Sequence, residues 1–297
     1  MDIDIQSVVD KIHRLQVKLP AIEWPSTVYL IDVGRGVLVE PGPTAAVPAI
    51  QEAMKQLGMR ELEYIIPTHI HLDHAGGMGS LAQLFPQAKV LLHPKAVRHV
   101  VDPSRLIEST RMSFGDDFEA YYGVFLAVPE AQVKAVEDGE TFSINGRTLQ
   151  IIHTPGHAPH HIAVFDRETG SLFCGEALGL PVQGDESSPR PAAAPPAFDM
   201  DVYLESMEKL RRLNPRILCY SHVGVGREPD KLIGEAAENT RRWGDIVMHA
   251  LKQGEDTAGI ERLLREEIHS HLGVTVDKIE SPTLEGFIFY FKKNGLV

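Results

Sequence analysis

Basic charge, cysteine and long apolar runs are all scarce in this sequence, and each scarcity excludes something. Lysine and arginine number 29 against 41 aspartates and glutamates, a formal net charge of −12 over 297 residues. Such a field repels phosphate backbones, and the densest basic stretches, Arg211-Arg212, Arg241-Arg242 and Lys292-Lys293, are only pairs. Nucleic acid is therefore not an expected partner. Only two cysteines occur, Cys174 and Cys219, each in an apolar strand-like stretch. Neither has the spacing of a cysteine-based zinc site, so both read as small core residues. No apolar run approaches a membrane span. The opening Met1-Asp2-Ile3-Asp4-Ile5 lacks the basic-then-apolar pattern of a secretory leader. The expectation is a soluble cytoplasmic protein acting on a small molecule, with no membrane partner; association into a homo-oligomer stays open.

What the sequence does hold is a dense cluster of metal-binding side chains. In Thr68-His69-Ile70-His71-Leu72-Asp73-His74-Ala75-Gly76-Gly77, four candidate ligands (His69, His71, Asp73 and His74) fall within six residues. Leu62–Pro67 before it reads as a short buried strand, and the paired glycines after it lead into a short helix near Met78–Phe85. A site where a strand runs out into a loop is common on layered α/β folds. In an extended stretch, residues two apart point the same way, so His69, His71 and Asp73 can converge while His74 reaches a second point. Two adjacent metal ions are the natural reading.

Along the rest of the chain, strands are expected at 27–32 and 36–40, then a helix from Ala46 to Leu57 closed by Gly58. Another strand is read at Lys89–His93. Pro94 to Gln132 reads as helical pieces, with Phe114, Phe118, Tyr121, Tyr122 and Phe125 at roughly helical spacing. Such a stripe is read as packing, though an insertion here could also line a pocket. Asn145-Gly146 between two apolar runs marks a hairpin, and 161–165 with 171–174 make another strand pair, their joining acids Asp166 and Glu168 reading as solvated. Pro181–Asp199, rich in proline and alanine, reads as a long irregular loop. A helix capped near Asp199 or Asp201, a strand at 216–220 and C-terminal helices at 229–251 and 257–272 complete the pattern, Asp256 being a candidate cap.

The Thr68–Gly77 stretch resembles the His-x-His-x-Asp-His signature of the metallo-β-lactamase superfamily, and later segments resemble that family's remaining ligand positions. Thr154-Pro155-Gly156-His157 is similar to its third metal-binding segment. Phe173-Cys174-Gly175-Glu176 is similar to a segment that ordinarily carries Gly-Asp, with Glu176 here one methylene longer. Tyr220-Ser221-His222-Val223-Gly224 is similar to its last. The resemblance implies an α/β fold, a four-layer αββα sandwich over residues 1–226, with a small C-terminal helical subdomain over 227–297. It assigns His69, His71 and His157 to one ion and Asp73, His74 and His222 to the other, with Glu176 and a hydroxide between them. Two divalent ions are implied, zinc first, with iron or manganese as alternatives.

The chemistry implied is metal-dependent hydrolysis of an ester, thioester, lactone or phosphoester, with Asp73 also orienting the nucleophile. His161 is a candidate substrate contact, while His153 and His160 read as structural or supporting. A quorum-quenching lactonase would place a tyrosine soon after the bridging carboxylate, where Ala177-Leu178-Gly179-Leu180 stands here. The alternative is an iron-dependent, non-hydrolytic oxidoreductase resembling persulfide dioxygenases, which use a subset of these ligands. A flavin-partnered di-iron protein would have a carboxylate where His71 stands.

Overall fold

Contiguous apolar strands such as Val28-Tyr29-Leu30-Ile31 and Val37-Leu38-Val39 are what a sheet covered on both faces requires. In the computed structural model, which describes residues 4–19, 25–181, 188–272, 279 and 281–297, such strands build two sheets. The chain packs as two compact units. One comprises Met1–His153, His160–Gly175 and Pro215–Arg227; the other comprises Thr154–Pro159, Glu176–Asn214 and Glu228–Val297.

The first unit holds both large sheets. Its seven-stranded sheet runs in chain order: Asp4–Val9, Ile12–Val17, Ser26–Ile31, Val37–Val39, Tyr64–Ile66, Lys89–Leu92 and Val133–Ala135. The first four strands form an antiparallel meander, and from Val37–Val39 onward the pairing is parallel. The six-stranded sheet has the order Val225–Gly226, Ile217–Tyr220, Ser171–Gly175, Ile162–Asp166, Arg147–His153, Thr141–Ile144.

Period-two alternation decides which side chain enters which core. Leu30, Leu38, Ile65 and Val90 face helix Val47–Leu57, which meets them with Val47, Ile50, Ala53 and Met54 at helical spacing. Tyr29, Ile31, Val37, Val39 and Ile66 face the other way, against Leu149, Ile151, Ile162, Val164 and Phe173 of the second sheet. Each such aliphatic side chain taken fully out of water contributes on the order of 1.5–3 kcal/mol. Gly58 ends the helix with φ 75°, the left-handed cap its position suggested.

Several elements depart from the sequence expectations. The N-terminal hairpin Asp4–Val17 turns at Asp10-Lys11, where Lys11 takes φ 57° without help from glycine. Val133–Ala135 adds a short parallel strand just beyond the stretch expected to be helical, whose helices are Val97–Val101, Ser104–Phe114 and Phe118–Tyr122. Asp166, expected in solvent, is fully buried and accepts from Arg147 Nη1 at 2.6 Å. The guanidinium also binds Asp10, so this ion pair ties the N-terminal hairpin to the second sheet.

The second unit is largely helical. Asp199 caps helix Met200–Arg211, its carboxylate accepting from Val202 N, and Asp256 accepts from Gly259 N at the start of Thr257–Leu272. Helices Pro229–Lys252 and Ser281–Lys293 complete it, with Phe198, Tyr203, Phe287 and Tyr290 forming an aromatic cluster. The long proline-rich stretch is less irregular than expected at its edges, because Leu180–Pro181 pairs with Pro189–Arg190. Residues 182–187 of that loop lie outside the described residues. Among the described residues, no helix is long and apolar enough to cross a membrane.

Candidate metal centre

The signature stretch leaves strand Tyr64–Ile66 extended and becomes helical at Leu72, with His71 (ψ 147°) as the last extended residue. The turn Leu72–Ala75 corrects the expectation that Asp73 shares the direction of His69 and His71. A helical residue rotates about 100° from its predecessor, so Asp73 swings away from those two and joins His74. The turn is clamped from outside: Gly42 N donates to His74 O at 2.9 Å and Gly77 N to Gly42 O at 2.8 Å.

Asp73, His74 and His222 bring one ligand atom each within 4.8 Å of one another. His74 Nε2 lies 3.2 Å from His222 Nε2 and 3.3 Å from Asp73 Oδ2, and His222 Nε2 lies 3.5 Å from that same oxygen. A tetrahedral ion with ligand bonds of about 2.0–2.1 Å has edges of about 3.3–3.4 Å. The three atoms therefore form a ready face for a divalent cation, with nitrogen and oxygen donors and no sulfur. His69 Nε2 and His71 Nδ1 stand 2.9 Å apart beside them.

The opposite nitrogen of each buried histidine is committed elsewhere. His74 Nδ1 meets Glu40 Oε2 at 2.5 Å, His222 Nδ1 meets Pro25 O at 3.3 Å, and His69 Nδ1 meets Thr68 Oγ1 at 3.1 Å. A ring that donates from Nδ1 presents a bare Nε2, the form a metal needs. Burial alone drives His74 toward neutrality, but the Asp73 and Glu40 carboxylates on either side outweigh it and hold its pKa well above the ordinary value. A cation at Nε2 would take the place of that proton.

Glu40 is the residue that sequence reasoning missed. It follows strand Val37–Val39, is buried, and takes φ 60°, rare for a residue with a side chain. Its carboxylate accepts from Thr68 N at 3.0 Å and from His74, so one group fixes both the start and the end of the signature. An acid set between an apolar strand and Pro41-Gly42-Pro43 was the available signal. Tyr29 was missed too. Its buried hydroxyl lies 2.7 Å from both Tyr220 O and Gly224 O, closing the loop that carries His222.

His161 is fully buried, with its ring stacked on His69 at 5.1 Å, so it stands behind His69 rather than on the open side. His160 is half-buried, 6.4 Å from the His69 ring and 6.5 Å from the His71 ring. His153 lies against His93 at 4.2 Å, its Nε2 on Val136 O.

The second unit carries the other two candidate ligands, and they meet each other. His157 Nε2 lies 2.8 Å from Glu176 Oε2, while His157 Nδ1 lies 2.8 Å from Ala192 O in the proline-rich loop. Tyr203 Oη donates to Glu176 O at 2.6 Å and Ser206 Oγ to Pro155 O at 2.6 Å, so helix Met200–Arg211 holds both ligand segments.

The description "Metallo-beta-lactamase superfamily" belongs to the family model that matches residues 21–222. The chain belongs to the metallo-β-lactamase superfamily. It is 31% identical over 168 residues to the metallo-beta-lactamase fold-containing protein ST1585 of Sulfurisphaera tokodaii, covering 56% of this chain and 62% of that one. It is 30% identical over 165 residues to a hydroxyacylglutathione hydrolase of a Synechococcus strain, covering 54% of this chain and 52% of that one. The match thus spans about half to two thirds of the length of these relatives. Among solved structures, the metallo-beta-lactamase family protein TTHA1429 of Thermus thermophilus matches with a TM-score of 0.72 at 22% identity, over 97% of this chain and 95% of that one. That likeness speaks for the fold: two large sheets with helices, and a helical C-terminal region.

Proposed function

We propose that this chain is a metallo-hydrolase in which His69, His71, Asp73, His74, His157, Glu176 and His222 hold two divalent ions, zinc first. The observation that carries the reading is the Asp73–His74–His222 triangle, whose 3.2–3.5 Å edges suit a tetrahedral cation. Covalent connection supports the remaining ligands. A Cβ on Gly175 would lie 2.5 Å from Thr68 Oγ1 and 2.6 Å from His161 Nε2, and Glu176 is the next residue, its Cα about 3.8 Å further on. His157 is three residues from His160, whose ring faces His69 and His71.

Two such ions supply a water of lowered pKa and polarise an acyl or phosphoryl oxygen. The chain's own residues do the rest. Asp73, whose side chain is 30% exposed, faces the solvent side and can accept a hydrogen bond from the attacking water, fixing its direction. Glu40 sets the tautomer of His74, Pro25 O that of His222, and Ala192 O that of His157.

The substrate class we favour is a carboxylic ester or thioester, in keeping with the relative whose name specifies an acylglutathione. Cytoplasmic action on a small molecule belongs to the same proposal. The complete second ligand set favours hydrolysis over a mononuclear iron oxygenase, which would use a subset. Elemental analysis of the purified protein, with hydrolysis measured on ester, thioester, lactone and phosphodiester panels, tests the reading. Two ions per chain and turnover of one panel are expected; a single iron with oxygen consumption on a persulfide would overturn it.

A further inference from the structure

The carbonyl of Ala192 accepts from His157 Nδ1 at 2.8 Å, and both residues are buried. A backbone oxygen keeps its place only as far as its own stretch of chain is held. In the second unit that stretch runs between two fixed ends. Asn239 Nδ2, on helix Pro229–Lys252, donates to Pro189 O at 2.8 Å, and Asp199 N donates at 2.9 Å to Gly156 O, next to His157. Between these ends the chain bears on helix Ser281–Lys293, where Ala193 meets Gly286 and the Phe198 ring meets that of Phe287 at 5.0 Å.

Gly286 sits inside that helix, where glycine is a poor residue because it brings no side chain and much backbone freedom. The packing explains it. A Cβ at Gly286 would lie 2.8 Å from Ala193 C and 2.9 Å from both Ala193 O and Ala193 Cβ. Carbon atoms in good contact stand about 3.5–4.0 Å apart, so a larger residue must push helix and loop away from each other. Tyr290, four residues on and therefore on the same helix face, donates to Asp201 Oδ2 at 2.7 Å and fastens the helix to Met200–Arg211. Pro191 and Pro195, on either side of Ala192 and Ala193, have fixed φ, which leaves the backbone little room to absorb a shift.

We propose that Gly286 is a positioning residue for His157: lacking a side chain, it lets the C-terminal helix seat Ala193 and so hold the Ala192 carbonyl on Nδ1, an inference that rests on the reading of His157 as a metal ligand. The Ala192 peptide joins directly to Ala193, so a shift at Ala193 carries the acceptor with it. With Nδ1 held as a donor, Nε2 is the nitrogen left for a cation, and it lies 2.8 Å from Glu176 Oε2. His157 is 3% exposed, so water does not readily replace a carbonyl that has moved off. The C-terminal helix thus governs a metal ligand through one carbonyl, which makes it part of the site's architecture as well as of the fold.

The test uses the full chain, stripped of metal and then titrated with zinc against a chromophoric chelator. In the metal-free protein the hydrogen-bonded Nδ1 proton of His157 is followed by NMR with isotope-labelled histidine, its resonance assigned by its loss in His157→Gln. Gly286→Ala is expected to move or lose that resonance and to weaken one of the two ions about tenfold. Phe291→Leu is the control, because it loosens the same helix within the aromatic cluster. It should lower the thermal midpoint and leave the Nδ1 proton and both zinc affinities as in wild type. An unshifted proton and wild-type affinities in a folded Gly286→Ala would overturn the proposal. Equal weakening of the same ion in Phe291→Leu would overturn it too, since ordinary destabilisation would then suffice. Should Gly286→Ala fail to fold, Ala193→Gly decides: it removes the methyl that the helix presses on and frees the backbone, so a wild-type proton and affinity there would overturn the proposal. If wild type binds no zinc, the ligand reading of His157 fails, and the Nδ1 proton still decides whether Gly286 positions the ring.

Discussion

Replacing Glu40 by glutamine changes one atom type, yet the geometry predicts a large effect on metal binding. The carboxylate accepts two hydrogen bonds, Thr68 N at 3.0 Å on one oxygen and His74 Nδ1 at 2.5 Å on the other. An amide has only one oxygen. If that oxygen keeps Thr68 N, the amide NH2 faces His74 Nδ1 and donates to it. The imidazole must then carry its proton on Nε2, the atom that lies 3.2 Å from His222 Nε2 and 3.3 Å from Asp73 Oδ2. A protonated Nε2 cannot bind a cation. Partners of this kind behind a ligand are worth about 10–100-fold in metal affinity, or about 1.4–2.8 kcal/mol. If the amide turns round instead, Thr68 N is left unpaired in a buried site, at a cost of about 1–3 kcal/mol of stability. Titration of metal-free Glu40→Gln with zinc against a chromophoric chelator should show one ion weakened by at least tenfold. Wild-type affinity for both ions, with an unchanged thermal midpoint, would refute the tautomer argument.

Asp73→Ala should abolish turnover while the fold persists, since it removes a ligand and an acceptor for the attacking water but little core packing; hydrolysis followed beside thermal unfolding checks this. Tyr29→Phe deletes the hydroxyl that closes the His222 loop and takes a donor from Tyr220 O and from Gly224 O, the latter still accepting from Tyr220 N at 2.8 Å. It should cost about 1–3 kcal/mol in chemical denaturation and weaken the ion held by His222. His93 is buried in a place that holds its pKa at about 4, first through burial and then through His153 and Lys95, against an ordinary 6.5. Its neutral form is the folded one, so the stability tied to it is whole above pH 6.5 and drains away as pH falls toward 4, by at most about 3 kcal/mol. His93→Asn, which can still accept from Lys95 N, should flatten the decline of the midpoint between those pH values; a wild-type slope would remove His93 from the account.

Local pattern carried much of the fold into view. The Asn145-Gly146 hairpin, with φ 46° and 83°, the Gly58 cap and the Asp199 and Asp256 caps are all set by residues close in sequence. The N-terminal hairpin was hidden because Asp10-Lys11 lacks the glycine that marks a two-residue turn. Beside its strand pairing with Ser26–Ile31, it is tied by Arg147, 137 positions away, which the sequence alone cannot pair with Asp10. Asp166 was misread for the same reason: a charged residue in a turn is ordinarily wet, and it is the arrival of Arg147, added to local bonds from Thr169 Oγ1 and Glu168 N, that makes its burial tolerable.

The site shows a similar divide between what a motif displays and what supports it. A ligand sits in a recognisable string because the metal constrains neighbours along one short segment. The groups behind the ligands answer instead to tertiary geometry: Glu40 lies 34 positions from His74, Ala192 lies 35 from His157, and Pro25 lies 197 from His222. Each supplies an acceptor at one nitrogen of a ring, and two of the three are backbone carbonyls, which leave no mark on residue identity. Substitution would be silent at Pro25 and Ala192 so long as the backbone holds its course, whereas Glu40 alone acts through a side chain. Of these three distant partners the sequence therefore exposes only Glu40, and there the exposed sign is an acid in a conformation that residues with side chains seldom take.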